Sequence, residues 1–188
     1  MILATDCKKG AKLLYKGEPY IVVDYQHVKP GKGAAFVRLK MKNLLTNLLH
    51  ESTFRSEEKF EKPDLEFRTV QFLYSEGNTY NFIDQESYEQ IELDKAVLDD
   101  VLDYIKEQVN YTILNWNDRA IAVTPPLHME LEVTETPPGV KGDTAQGGGS
   151  KPATLETGLV VQVPLFVNAG DIIKVDTRDG SYIERVQK

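Results

Sequence analysis

Two proline-bearing breaks, Lys62-Pro63-Asp64 and Thr124-Pro125-Pro126, cut this 188-residue chain into three stretches of about 60 residues. Each stretch restarts the same texture: short runs rich in β-branched and aromatic residues, separated by turn residues. An open sheet of so few residues cannot cover its own apolar face, so a strand-rich piece of this size closes into a small barrel. The chain reads as all-β, with three small barrels at residues 1–63, 64–126 and 127–188.

In the first stretch, Leu13-Leu14-Tyr15 and Tyr20–Val28 flank the turn Lys16-Gly17-Glu18-Pro19. A second apolar run, Ala34–Met41, alternates with period two from Phe36, and Glu51–Arg55 supplies a further strand. In the second stretch, residues 65–74, 79–83, 88–91, 112–115 and 120–123 read as strands around turns at Glu76-Gly77-Asn78 and Asn117-Asp118. One segment has a different period. Ala96, Val97, Val101, Leu102, Ile105 and Val109 recur at helical spacing through Asp94–Asn110, with Asp94 as N-cap and Asp99, Asp100 and Asp103 on the polar side. Strands, one helix, then strands is the order of an oligonucleotide-binding (OB) barrel, in which the helix plugs one end.

In the third stretch Met129–Glu135 alternates strictly, as a half-exposed strand does. Residues Thr136–Pro152, with five glycines and three prolines, read as one long loop, well beyond the common connection of about 4–6 residues. Leu159–Val163, Asp171–Val175 and Ser181–Val186 close the barrel, and Asp179-Gly180 marks a hairpin.

Composition excludes several classes. No apolar run reaches the roughly 18 residues of a membrane span, because Leu159–Ala169 is broken by Gln162, Pro164 and Asn168. The N-terminus lacks a basic flank followed by an apolar stretch, and the lone Cys7 cannot form an internal disulfide, so a reducing cytoplasm is expected. The histidines His27, His50 and His128 are scattered, so neither a metal nor a cofactor is expected. Gly31-Lys32-Gly33 is not a phosphate loop, since Gly33-Ala34-Ala35 opens a strand, and no Gly-x-Ser-x-Gly elbow is present. An enzyme is not indicated.

The net charge of −7 is unevenly spread. Residues 1–64 carry 12 Lys/Arg against 8 Asp/Glu, residues 65–127 carry 4 against 12, and residues 128–188 carry 6 against 9. A basic head suits phosphate, while an acidic middle repels it or simply keeps the surface soluble. Within the head, Lys29-Pro30-Gly31-Lys32-Gly33 stands out. Pro30 fixes one backbone angle, and Gly31 and Gly33 admit positive φ, so Lys32 is carried on a narrow apex. On residue physics alone, a solvated hairpin tip would carry the same lysine.

Gln26–Arg38, which contains this tip, resembles the N-terminal hairpin of the bacterial elongation factor P family. Val123-Thr124-Pro125-Pro126 resembles that family's second-to-third domain junction, and Pro138–Ala145 its third-domain loop. The family's C-terminal signature, Lys-x-Ala-x4-Gly-x2-Val-x-Val-Pro-x2-Val-x2-Gly, is filled by Lys151, Ala153, Gly158, Val161, Val163, Pro164, Val167 and Gly170. The similarity runs along essentially the whole chain.

The resemblance implies an SH3-like (KOW-type) barrel followed by two OB barrels in an L-shaped, tRNA-like arrangement. It implies a translation factor that binds the ribosome beside peptidyl-tRNA and relieves stalling at consecutive prolines. Lys32 would bear a post-translational extension added by a lysine-modifying enzyme, and Lys29, Pro30, Gly31 and Gly33 would carry it toward the CCA end. Gly142, Asp143 and Thr144 would face messenger RNA in the exit site. Arg38, Lys40, Lys42, Tyr182 and Arg185 are further expected tRNA contacts. Two other readings stay open: a general RNA-binding module of SH3-like and OB barrels, and a homologue similar to initiation factor 5A. The third stretch argues against the latter, whose family usually has two domains.

Overall fold

The computed structural model describes residues 1–139 and 149–186, and its chain is nearly all β. The first six strands are β1 (Ile2–Leu3), β2 (Lys12–Tyr15), β3 (Glu18–Val28), β4 (Phe36–Asn43), β5 (Leu49–Arg55) and β6 (Lys59–Phe60). β2 to β5 form an antiparallel meander in chain order, and β1 pairs with β6. Inward residues of the meander bury Leu13, Val22, Val37, Leu39, Met41 and Phe54, joined by Ala4, Cys7 and Phe60. Burial in this core pushes the Cys7 thiol up to about 11, with Asp6 adding to the shift.

The next five strands are β7 (Leu65–Glu76), β8 (Thr79–Asp84), β9 (Gln90–Asp94), β10 (Asn110–Trp116) and β11 (Arg119–Thr124), in the sheet order β11-β10-β7-β8-β9. The last five are β12 (His128–Glu135), β13 (Ser150–Leu155), β14 (Val160–Pro164), β15 (Ile172–Asp176) and β16 (Ser181–Arg185), in the order β14-β13-β12-β15-β16. Numbered from its own first strand, each sheet runs fifth-fourth-first-second-third. That shared order is the OB order, and in the third barrel β14 also meets β16 to close it.

The chain divides into two compact units, Met1–Phe67 with Leu114–Ala122, and Arg68–Ile113 with Val123–Lys188.

The helix expected over Asp94–Asn110 is instead a 3₁₀ helix over Lys95–Tyr104. Asp94 does cap it, accepting from the Ala96 amide at 2.9 Å. Its buried residues are Leu98, Val101 and Tyr104, spaced by three, which is the turn length of a 3₁₀ helix and not of an α-helix. Tyr104, at its end, reaches into the core of the third barrel beside Met129, Leu131 and Val175. The bend that follows is tied by Tyr111, whose hydroxyl donates to the Tyr104 carbonyl at 2.5 Å and accepts from the Lys106 amide at 2.9 Å.

β13 begins at Ser150, inside the stretch Thr136–Pro152 expected to be a loop, and residues 140–148 of that stretch lie outside the described residues. β13 alternates Lys151, Ala153 and Leu155 inward with Pro152 outward, so a lysine occupies a core position and hides the apolar period. Pro152 is tolerated because β13 pairs with β12 only at Leu155 and Thr154, beyond the proline.

Candidate functional site

The β3–β4 hairpin carries the tip. Its register holds Val28 opposite Phe36, so the connecting loop is Lys29–Ala35, and β4 starts at Phe36, where the period-two alternation begins, two residues inside the run Ala34–Met41. A β-bulge places Val23 as the extra residue between the Val22↔Met41 and Asp24↔Lys40 pairs. Past the bulge, Asp24 to His27 are exposed, and β3 has a backbone partner only in β4 among the described residues. Within the tip, Gly33 has φ of +107°, the left-handed side that other residues resist. Gly31 does not take a positive φ, so one glycine, not two, makes the reversal.

Lys29, Pro30, Gly31, Lys32 and Gly33 are all exposed. Among the described residues, neither Lys29 nor Lys32 has a hydrogen bond or an ion pair. The Lys32 ammonium is therefore available to a partner outside the chain.

Below the tip, β4 turns Val37, Leu39 and Met41 into the core, which sets Arg38, Lys40 and Lys42 on the opposite face. The row is not purely cationic. Arg38 Nε lies 3.8 Å from Glu51 Oε1, and Lys40 stands between Asp24 on β3 and Glu51 on β5. These residues, with Tyr25 and Gln26, line a shallow cavity of about 220 Å³. At both ends the pairs are exposed, so Glu51 orients Arg38 without holding it strongly.

Tyr182 and Arg185 lie on β16, in the other compact unit. Tyr182 packs against the third-barrel core. Arg185 sits 4.9 Å over the Phe166 ring and 3.7 Å from Asp171 Oδ2, so its guanidinium has partners within its own barrel. The β15–β16 turn beside Tyr182 is braced by Arg178, whose guanidinium grips Asp176 at 2.7 Å and holds that carboxyl down at about 2. Gly142, Asp143 and Thr144 lie outside the described residues. No group of three or more His, Cys, Asp or Glu suited to a metal occurs among the described residues, and no helix there is long and apolar enough to cross a membrane.

Sequence comparison supplies the context for this geometry. The family description "Elongation factor P (EF-P) KOW-like domain" matches residues 3–60, "Elongation factor P (EF-P) OB domain" matches 65–123, and "Elongation factor P, C-terminal" matches 129–185. The elongation factor P of Thermoanaerobacter sp. (strain X514) is 53% identical over 186 residues, covering 99% of this chain and 100% of that one. The chain belongs to the elongation factor P family.

The elongation factor P of Natranaerobius thermophilus is 54% identical over 187 residues, with 100% of this chain and 99% of that one covered. Among solved structures, a eukaryotic translation initiation factor 5A from Methanococcus jannaschii aligns with a TM-score of 0.54 at 21% identity, over 66% of this chain and 91% of that one. At that identity the likeness shows the fold. Elongation factor P proteins are translation elongation factors, and the KOW-like barrel followed by OB barrels is the architecture this chain shares with them.

One residue with a structural part in the third barrel escaped the motif reading except as a signature letter: Lys151, whose side chain is buried in β13. Its only sequence signal is a lysine in phase with Ala153 and Leu155.

Proposed function

We propose that this protein acts in the cytoplasm at the ribosome, between the peptidyl and exit sites, and relieves stalling at consecutive prolines. The observation that carries the reading is the exposed ammonium of Lys32, without a partner among the described residues, on a narrow hairpin whose reversal is made by Gly33. Family membership supports the setting. The domain limits that accompany the reading are 1–63, 64–126 and 127–188.

Proline is a secondary amine in a locked ring, so peptidyl-prolyl and prolyl ends align poorly for bond formation. The ribosome supplies the chemistry and the factor supplies alignment, without a cofactor and without catalysis of its own. Lys32, lengthened by a lysine-modifying enzyme, contacts the CCA end of peptidyl-tRNA and lowers the entropic part of the barrier. Lysine at this position excludes the arginine-glycosylation route, and Ala34-Ala35-Phe36 is closer to the branch bearing an aminoalkanol. Lys29, Arg38, Lys40 and Lys42 meet tRNA phosphates, which makes binding salt-sensitive. Tyr182 and Arg185 add contacts to peptidyl-tRNA, and Gly142, Asp143 and Thr144 face messenger RNA.

Lys32→Ala tests this. The side chain is exposed and has no partner among the described residues, so stability changes by less than about 0.5 kcal/mol. In reconstituted translation, relief of polyproline pauses is lost. Full activity of the variant would refute the role, and retained RNA affinity without ribosome dependence would point to a general RNA-binding module. Intact mass of protein from its native host identifies the added group.

A further inference from the structure

Strand register divides the outer face of the first barrel into two unlike halves. β4 sets Arg38, Lys40 and Lys42 on that face, and the residues opposite them on β3 and β5 decide what surrounds each. Lys40 lies opposite Asp24 on one side and Glu51 on the other, and Glu51 also stands 3.8 Å from Arg38. Lys42 lies opposite Ile21 and Leu49, which are both apolar. One strand further on, Ile21 pairs with Lys12 of β2, so a second cation faces outward in the same row as Lys42.

Lys12 and Lys42 stand two strand spacings apart, about 10 Å at the backbone, within reach of one phosphate or two neighbouring ones for such long stems. Among the described residues, neither has a hydrogen bond or an ion pair. Lys12 is steadied in another way: its Nζ lies 5.1 Å over the centre of the Phe67 ring, which is 58% exposed. A cation held over an aromatic face keeps its N–H donors free for an anion. All of these residues belong to one compact unit. An anion settles where cations are not already offset by carboxylates, and on this face that is the half around Lys12 and Lys42.

We infer that Lys12 and Lys42 together hold the RNA backbone on the first barrel, with Phe67 orienting Lys12, and that Arg38 and Lys40 contribute less because they share Asp24 and Glu51. This rests on the reading that the first barrel meets peptidyl-tRNA, and it adds Lys12 and Phe67 to the residues that do so. The exposed Leu48 and Leu49 beside Lys42 would also suit an acidic protein segment, an alternative that salt dependence separates from RNA.

Two double variants remove equal charge from the two halves: Lys12→Gln with Lys42→Gln, and Arg38→Gln with Lys40→Gln. Because each loses two positive charges, any general effect of net charge is matched. Binding to ribosomes that carry peptidyl-tRNA beside an open exit site is titrated at several salt concentrations. Each phosphate contact adds roughly 0.7–0.9 to the steepness of log affinity against log salt. The Lys12/Lys42 variant loses about 1.5 of that steepness, and the Arg38/Lys40 variant about 0.5 or less. Lys12→Arg with Lys42→Arg keeps the parental value. Equal losses in the two Gln variants, or a larger loss from Arg38 and Lys40, overturn the assignment. Affinity lost from the Lys12/Lys42 variant at unchanged steepness places an acidic protein segment on this face and also overturns it. If the parental protein fails to bind these ribosomes, the proposed function falls as well. If it binds and the Lys12/Lys42 variant matches it, only the phosphate assignment falls.

Discussion

Tyr111→Phe tests how the bend after the 3₁₀ helix is held. The ring is 1% exposed and stays in place in the variant, at 6.0 Å and nearly perpendicular to Phe82. Only the hydroxyl is lost, and with it the donor to the Tyr104 carbonyl and the acceptor for the Lys106 amide. Each stranded backbone group costs about 1–3 kcal/mol when buried. Lys106 is only half-buried, so its amide recovers part of that from water, and the total comes to roughly 2–4 kcal/mol. Urea unfolding followed by tyrosine fluorescence would show a lower midpoint with an unchanged slope.

Alkaline pH gives an independent check on the same hydroxyl. Burial pushes the Tyr111 phenol up to about 12, against an ordinary value near 10. Below pH 10 both states keep the proton and the stabilisation is complete. Between pH 10 and 12 the unfolded state ionises first, so the parent loses about 2–3 kcal/mol from this group, and the Phe variant does not. A midpoint shift under about 0.5 kcal/mol, with parallel alkaline profiles, would refute the claim that this hydroxyl ties the bend.

Two further outcomes follow from the β15–β16 turn. Gly180 has φ of +74° and lies 3.1 Å, measured from an added Cβ, from the Tyr104 hydroxyl, so Gly180→Ala lowers unfolding stability by about 1–2 kcal/mol. Denaturant titration measures this, and no loss would mean that the turn relaxes freely. Arg178→Gln removes the guanidinium that holds the Asp176 carboxyl near 2. The parent's contribution from this carboxylate is complete above pH 4 and is lost as pH falls toward 2. The variant is less stable at pH 7 and shows a shallower decline over that acid range, read from denaturant midpoints at several pH values.

Much of this architecture was legible in the residues, and the failures have physical causes. The hairpin tip was readable because proline and glycine restrict or free the backbone in ways that no neighbour has to confirm. Gly31 shows the limit of that inference, since a residue permitted a positive φ need not adopt one. The helical segment starts at the expected cap, Asp94, but it ends at Tyr104 rather than Asn110 and its apolar period is three. Leu98 and Tyr104 were passed over in favour of Ala96 and Val97, and only packing shows that the apolar side repeats every three residues. β13 was hidden by composition, because Pro152 and the glycines before it speak for a loop while the strand depends on a buried lysine. Arg185 was readable as a cation but not as one already engaged by Phe166 and Asp171.

The outer half of β3 has a consequence for the protein at high concentration. A strand margin with unused amides and carbonyls is where two copies would zip together and begin a growing fibril. Here the Val23 bulge twists that margin, Asp24 and Lys29 charge it, and Pro30 ends it with a residue that cannot donate. The ribbon that presents Lys32 can stay long, thin and solvated without recruiting its own kind.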